Sequence, residues 1–244
     1  MHEDIIALLP QAAALARPPI SNFKVGAIAR GASGKLYFGT NLEFAGEALS
    51  FTVHAEQSAV VNAWMSGETG IDVVATSAAP CGYCRQFLNE LATAAELTVI
   101  MPGVQRRLSE LLPSSFGPRD LGIEGGLLQR DDHGLAIDEH DELATAALAA
   151  ANMSYAPYSK SYAGVALRTT GGAVVSGAYA ENAAFNPSLS PLEAALSQLN
   201  LRGWESVAEC VLVGVDSLHH NATRVVLAAV CDAPLRVITA RNSP

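Results

Sequence analysis

Long apolar runs, basic clusters and cysteines are all scarce in this 244-residue sequence, and each shortage excludes something. The N-terminal apolar stretch, 5–16, is interrupted by Pro10 and Gln11 and is too short to span a bilayer. Glu3 and Asp4 stand where a secretory signal would carry positive charge. Lys and Arg number 15 against 24 Asp and Glu, for a formal charge of −9. Polynucleotide binding rests on cations that neutralise phosphates, and no basic run or stripe is present to do so. A small, uncharged substrate fits better, with neither nucleic acid nor membrane as a partner. Four cysteines are too few for a disulfide framework, so a reducing, cytoplasmic setting is expected. Half of the residues are hydrophobic, which is ample for a sizeable core.

Two short pieces carry the chemistry, His54-Ala55-Glu56 and Pro80-Cys81-Gly82-Tyr83-Cys84. They bring one imidazole and two thiols together at a spacing that suits zinc. A catalytic zinc site uses three protein ligands and keeps a fourth position open, whereas a structural site needs a fourth ligand. No fourth Cys or His lies close by in sequence. Glu56, two residues from the imidazole, is a candidate general acid/base. A C-x-x-C alone also serves redox and structural zinc proteins; His-Ala-Glu lying 27 residues ahead of Cys81 favours catalysis. Both pieces are expected at helix starts. Thr52 caps a helix over 54–65, and Pro80 opens another over 81–95. Helix N-termini stabilise thiolates, and Cys81 and Cys84, three apart, share one helical face.

Elsewhere the pattern predicts a helix over 5–16, strands over 25–30, 36–39, 71–77 and 97–101, and helices over 104–112 and 141–152. The Gly- and Pro-bearing stretch 113–140 reads as a linker with one or two short strands. It separates a first domain, 1–112, from a second, 141–244. The two are copies. Pro157, Ser159, Gly164, Gly172, Gly177 and Glu181 each lie 138 positions after Pro19, Ser21, Gly26, Gly34, Gly39 and Glu43. With one deletion, Glu193 falls opposite Glu56 and Pro191 opposite His54, and no cysteine falls opposite the C-x-x-C. A repeat this long is a duplicated domain, not a solenoid.

Phe23-Lys24-Val25-Gly26-Ala27, Asn41-Leu42-Glu43-Phe44, His54-Ala55-Glu56-Gln57 and Pro80-Cys81-Gly82-Tyr83-Cys84-Arg85-Gln86-Phe87 together resemble the cytidine deaminases. H-x-E with P-C-x-x-C is the general signature of zinc-dependent nucleobase deaminases. Ser115-Phe116-Gly117-Pro118 and Glu181-Asn182-Ala183-Ala184-Phe185-Asn186-Pro187 are similar to the dimeric, two-domain bacterial form. That form usually carries a further helical segment ahead of the first helix. The resemblance implies an α/β fold of two tandem α/β/α domains, each a mixed sheet of about five strands flanked by helices, the second a degenerate copy.

It also implies a homodimer with one Zn²⁺ per subunit, held by His54, Cys81 and Cys84, that deaminates free cytidine and 2′-deoxycytidine in pyrimidine salvage. Metal-activated water is then the nucleophile and Glu56 the proton shuttle. Phe23 stacks on the base, Asn41, Leu42 and Glu43 hold the ribose, and Ala55 and Ala79 offer backbone groups to the base. Ala184 and Phe185 complete the partner's pocket. Arg85 either offsets thiolate charge or sits at the surface. Cys210 and Cys231 read as core residues, His219-His220 as an exposed loop, and Glu193 as a relic that caps a helix. Two other readings remain at this point. One is a deaminase for another cytosine-like substrate or a base within a nucleic acid; the other is a protein whose zinc is structural and whose fold serves dimerisation.

Overall fold

The computed structural model describes residues 2–242. Contacts sort them into two compact units. The first holds the chain up to Glu43, Thr52–Gln129 and Asn182–Ser188; the second holds Phe44–Phe51, Arg130–Glu181 and the chain from Leu189 on. The 113–140 stretch is thus shared, its part up to Gln129 lying in the first unit.

The first unit is built on a central strand, β1 (Gly26–Gly31), antiparallel on both sides, to β2 (Leu36–Thr40) and to β3 (Ile71–Thr76). β4 (Thr98–Met101) runs parallel to β3, and β5 (Val104–Arg107) pairs antiparallel with β4 at the edge. α1 (Glu3–Ala14) covers one face, where its Ile5, Leu9 and Ala12 pack on Ile28, Val73, Ala75 and Ile100. α2 (Ala55–Met65) covers β2 and β1 from the other face. Alternation of side chains across the strands explains the division, since neighbours such as Gly26 and Ala27 point to opposite faces. Two glycines let the helices seat. A Cβ on Gly26 would lie 2.7 Å from the Leu9 carbonyl oxygen of α1, and one on Gly39 would lie 2.3 Å from that of Ala55 in α2.

Two expectations fail after β3. The helix that follows Pro80 ends early: α3 is only Gly82–Leu88, because the next residues pair with the 127 segment instead. Leu127 N–H donates to the Glu90 carbonyl, and Ala92 N–H to that of Leu127. The stretch 104–112 is not one helix but β5 followed by the four-residue α4 (Leu108–Leu111). Pro102-Gly103, with Gly103 at φ +75°, forms the tight turn that folds β5 onto β4.

The second unit opens with β6 (Leu135–Ala136) and α5 (Glu142–Asn152), which Asp141 caps by accepting from Leu143 and Ala144 N–H. β7 (Ala163–Thr169), β8 (Val174–Ala178), α6 (Pro191–Leu201), β9 (Val207–Gly214), α7 (His220–Val230) and β10 (Leu235–Thr239) follow. Its main sheet has four strands, ordered β10-β9-β7-β8, one fewer than the first. A separate ribbon joins β6 to β11 (Arg241–Asn242). The repeat is exact through the first hairpin. Gly26 faces Thr40 and Gly164 faces Ala178, while Gly164 and Gly177 seat α5 and α6 just as Gly26 and Gly39 seat α1 and α2.

The helix starts correct the alignment of the two copies. His54 caps α2 and Ser190 caps α6, with Gln57 and Glu193 at the same third position. Glu193 is therefore the counterpart of Gln57; Leu192 stands opposite Glu56, and Ser190, not Pro191, opposite His54. Glu193 caps as expected, accepting from Ser190 N–H at 2.9 Å while Ser190 Oγ accepts from Glu193 N–H. It is not a relic of the acid/base. His219 also departs from expectation. It is buried at the start of α7, its ring 4.3 Å from that of Tyr179.

Two predictions follow from this packing. Burial raises the Glu193 carboxyl from 4.5 to about 7. The folded state therefore holds a proton that the unfolded chain releases, and stability falls as pH rises from about 4.5 through 7. The penalty above that window is about 3 kcal/mol. Glu193→Gln retains an acceptor for Ser190 N–H, as Gln57 does for His54, so urea unfolding between pH 4.5 and 8 should lose most of this slope. Gly177→Ala places a Cβ 2.2 Å from Ala195 N. It should cost about 1–3 kcal/mol, read as a lower Tm.

Candidate active site

Two helix starts converge in the first unit. His54 has extended backbone (φ −81°, ψ 154°) as the cap of α2, and Cys81 (φ −70°, ψ 171°) is the cap of α3. Cys84 lies in the first turn of α3. The sulfurs are 3.6 Å apart, and His54 Nδ1 is 3.7 Å from Cys81 Sγ and 3.3 Å from Cys84 Sγ. Tetrahedral zinc with ordinary bond lengths would set its S–S edge at about 3.8 Å and its S–N edges at about 3.6 Å. The triangle matches those edges, and its donors are the soft and borderline atoms zinc prefers, so the three residues present fit the ion.

Glu56 is 4 % exposed in the first turn of α2, and Cys84 Sγ is 3.2 Å from its Oε2. Burial raises its carboxyl above the usual range, against the partial offset of its hydrogen bonds and His54. The hydrogen bond with Cys84 brings Cys81 down to about 5, and the same bond, burial and the Glu56 charge push Cys84 upward. A carboxyl with raised affinity for protons thus sits directly against the three ligand atoms.

A cavity of about 280 Å³ opens over this group. Of the residues singled out in sequence, Phe23, Asn41, Glu43, Ala55 and Ala79 line it with Glu56 and the three ligands. Ser21, Thr52 and Ala78 also contribute, unforeseen. Leu42 is not among the lining residues. Its side chain is buried, and its backbone exchanges hydrogen bonds with Val53 in both directions. Phe23, 61 % exposed, stands at the rim as a side chain that a planar base can cover.

Asn41 and Glu43 both brace the wall formed by 20–25. Asn41 Oδ1 accepts from Val25 N–H and its Nδ2 donates to the Phe23 carbonyl. Glu43 accepts from the N–H groups of Ile20 and Ser21 and from Ser21 Oγ, which pull its carboxyl down despite the opposing effect of burial. The second unit separates the two roles. Glu181 accepts from Tyr158 and Ser159 N–H in the same way, so this carboxylate is part of the scaffold in both copies. The counterpart of Asn41, however, is Tyr179, whose ring lies against His219. The second copy has filled with aromatic side chains the place that Asn41 borders in the first.

Ala184 and Phe185 lie in 182–188, on the surface of the first unit. Phe185 is 65 % exposed and adopts φ +60°, a costly conformation that hydrogen bonds from Phe185 N–H to the Asn182 carbonyl and from Ala184 N–H to Asn182 Oδ1 help to hold. Arg85 turns its guanidinium to the carbonyls of Pro80 and Leu111 and so braces the turn that carries Cys81. Sequence reasoning missed Tyr83, whose ring stacks 5.1 Å from His54, and Gln57, which accepts from His54 N–H at 3.0 Å. Gln57 sits beside Glu56 in the motif, and the third position of a helix is where such a cap is expected.

Comparison with known proteins identifies the family. The family model described as the cytidine and deoxycytidylate deaminase zinc-binding region matches residues 1–101 and again 108–224. A cytidine deaminase of Photobacterium profundum is 52 % identical over 242 residues, covering 96 % of this chain and 82 % of that protein. One from Vibrio atlanticus is 53 % identical over 231 residues, covering 92 % and 78 %. The crystal structure of cytidine deaminase from Mycobacterium tuberculosis is 32 % identical, covers 47 % of this chain and 96 % of its own, and superposes with a TM-score of 0.43. With this agreement over nearly its whole length, the chain belongs to the cytidine deaminase family.

Proposed function

We infer that this protein hydrolyses cytidine to uridine and ammonia. The observation that carries the reading is the buried Glu56 carboxyl held against the His54, Cys81 and Cys84 triangle at the floor of a nucleoside-sized cavity. Zinc held by those three residues supplies Lewis-acid activation of water. Glu56 moves the protons: it takes one from the attacking water and passes it to ring N3, then takes the second from the new C4 hydroxyl and delivers it to the amine, so that the C4–N bond breaks as the C4 carbonyl forms. Its raised proton affinity suits a group that must both accept and donate near neutral pH. Cavity walls without a cationic cluster favour a free nucleoside over a nucleotide or polymer.

Phe23 covers the base, and the backbone at Ala55 and Ala79 meets its polar edge. Asn41 and Glu43 hold the ribose 3′-hydroxyl, Glu43 through the lone pairs its scaffold bonds leave. The lone-pair count of a carboxylate supports this double use. 2′-Deoxycytidine is a second substrate, because nothing in the reading requires the 2′-hydroxyl. The protein acts as a homodimer in which the exposed Phe185, with Ala184, closes the partner's pocket. The four cysteines are free thiols, which supports a cytoplasmic setting. Among the described residues no helix is long and apolar enough to cross a membrane.

The first test is ultraviolet absorbance during incubation of cytidine with the zinc-replete protein. Glu56→Gln should lower kcat by about 10²–10⁴-fold while zinc content stays at one per chain. An active Glu56→Gln protein would remove the carboxyl from the mechanism. Asn41→Ala should raise KM for cytidine and abolish discrimination against 3′-deoxycytidine. Unchanged discrimination would leave Asn41 a brace only.

A further inference from the structure

We propose that Gln57 and the segment 182–188 form a positioning clamp on the metal ligands, supplied in part by the half of the chain that has no ligands of its own. The proposal rests on the zinc-site reading of His54, Cys81 and Cys84. Gln57 is fully buried and uses both ends of its amide. Its Oε1 accepts from His54 N–H at 3.0 Å, and its Nε2 donates to the Pro187 carbonyl at 3.1 Å. The same segment is tied twice more to the helix that carries Cys84, and once to Glu90 just past its end. Tyr83 Oη donates to the Asn186 carbonyl at 2.7 Å, Asn182 Nδ2 donates to the Gln86 carbonyl at 3.1 Å, and Glu90 accepts from Ala183 N–H at 2.9 Å. Asn182 and Glu90 are buried. One short turn segment thus bonds to the helix of His54 and to the helix of Cys84, and fixes their separation.

The second copy shows that capping alone does not call for Gln. Glu193 occupies the same helix position and accepts from Ser190 N–H. That bond needs only an acceptor, and an ionised carboxylate has no hydrogen to donate. The amide of Gln57 differs from it by the one donor that reaches Pro187. Groups that orient metal ligands from behind typically change metal affinity 10–100-fold when lost. Gln57 is accordingly a positioning residue: it touches no substrate and acts through His54.

The test compares the zinc-loaded full-length protein with Gln57→Glu, Asn182→Ala and the double variant. Gln57→Glu, assayed at pH 8.5 so that the carboxyl is ionised, keeps the cap and replaces the donor with an oxygen facing the Pro187 carbonyl. Zinc release to a chromogenic chelator is followed, and the visible spectrum of the Co²⁺-substituted proteins is recorded. Each single variant should release zinc at least about tenfold faster with altered Co²⁺ bands, and the double variant should be no worse than the worse single one. Should a variant not fold, Tyr83→Phe removes a single hydroxyl and should still speed release several-fold. Release within twofold of the parent and unchanged Co²⁺ bands, even with a lowered Tm, would overturn the clamp. A parent protein that takes up no zinc would overturn the metal site itself.

Discussion

The close seating of α2 on the β1–β2 hairpin is the constraint on which the site depends. At Gly39 the helix backbone comes so near that any side chain would strike the Ala55 carbonyl and the Ala59 N–H. This contact fixes the first turn of α2, and with it the direction of His54 and Glu56. β3 then delivers the chain at the adjacent position of the sheet to Pro80, so that α3 begins beside the start of α2. Close packing leaves such a helix no room to slide. The ligand triangle inherits its precision from that rigidity.

The second copy separates packing from chemistry. Gly164 and Gly177 seat α5 and α6 in the same way, Glu181 repeats the bonds of Glu43, and Glu193 repeats the cap of Gln57. None of these residues therefore needs a metal or a substrate to account for it. What the second copy lacks is His54, Glu56 and Asn41, where Ser190, Leu192 and Tyr179 stand instead, and the two cysteines of the Cys-x-x-Cys. A strongly repeated carboxylate such as Glu43 is thus a weaker functional signal than the asparagine two residues before it.

Electrostatics at the candidate site follow from burial and short-range hydrogen bonding together. Desolvation holds the Glu56 carboxyl toward its neutral form, and the bond with Cys81, burial and the Glu56 charge do the same for the Cys84 thiol. The opposite shift at Cys81, closer to solvent, places the thiolate at the mouth of the site. The positive charge of a bound ion resolves this tension, since it favours thiolates and a neutral imidazole. A site of this kind gains more from a cation than a solvated cluster of the same residues would.

The sequence by itself determined the His-x-Glu and Cys-x-x-Cys motifs, the duplication and the glycines, because each rests on residue type at short spacing. His54, Glu56, Cys81 and Cys84 are local in their motifs, and the gapless 138-residue offset needs no coordinates. Tertiary structure decided what depends on long-range pairing. It ended α3 at Leu88, where bonds to Leu127 outcompete further helix, and it turned 104–107 into an edge strand. It moved Glu193 opposite Gln57, buried His219 against Tyr179, and withdrew Leu42 from the cavity. It also joined Gln57 to Pro187 across 130 residues. Hydrogen bonds between residues so far apart leave no periodicity in the chain, and only the folded backbone brings their partners within reach.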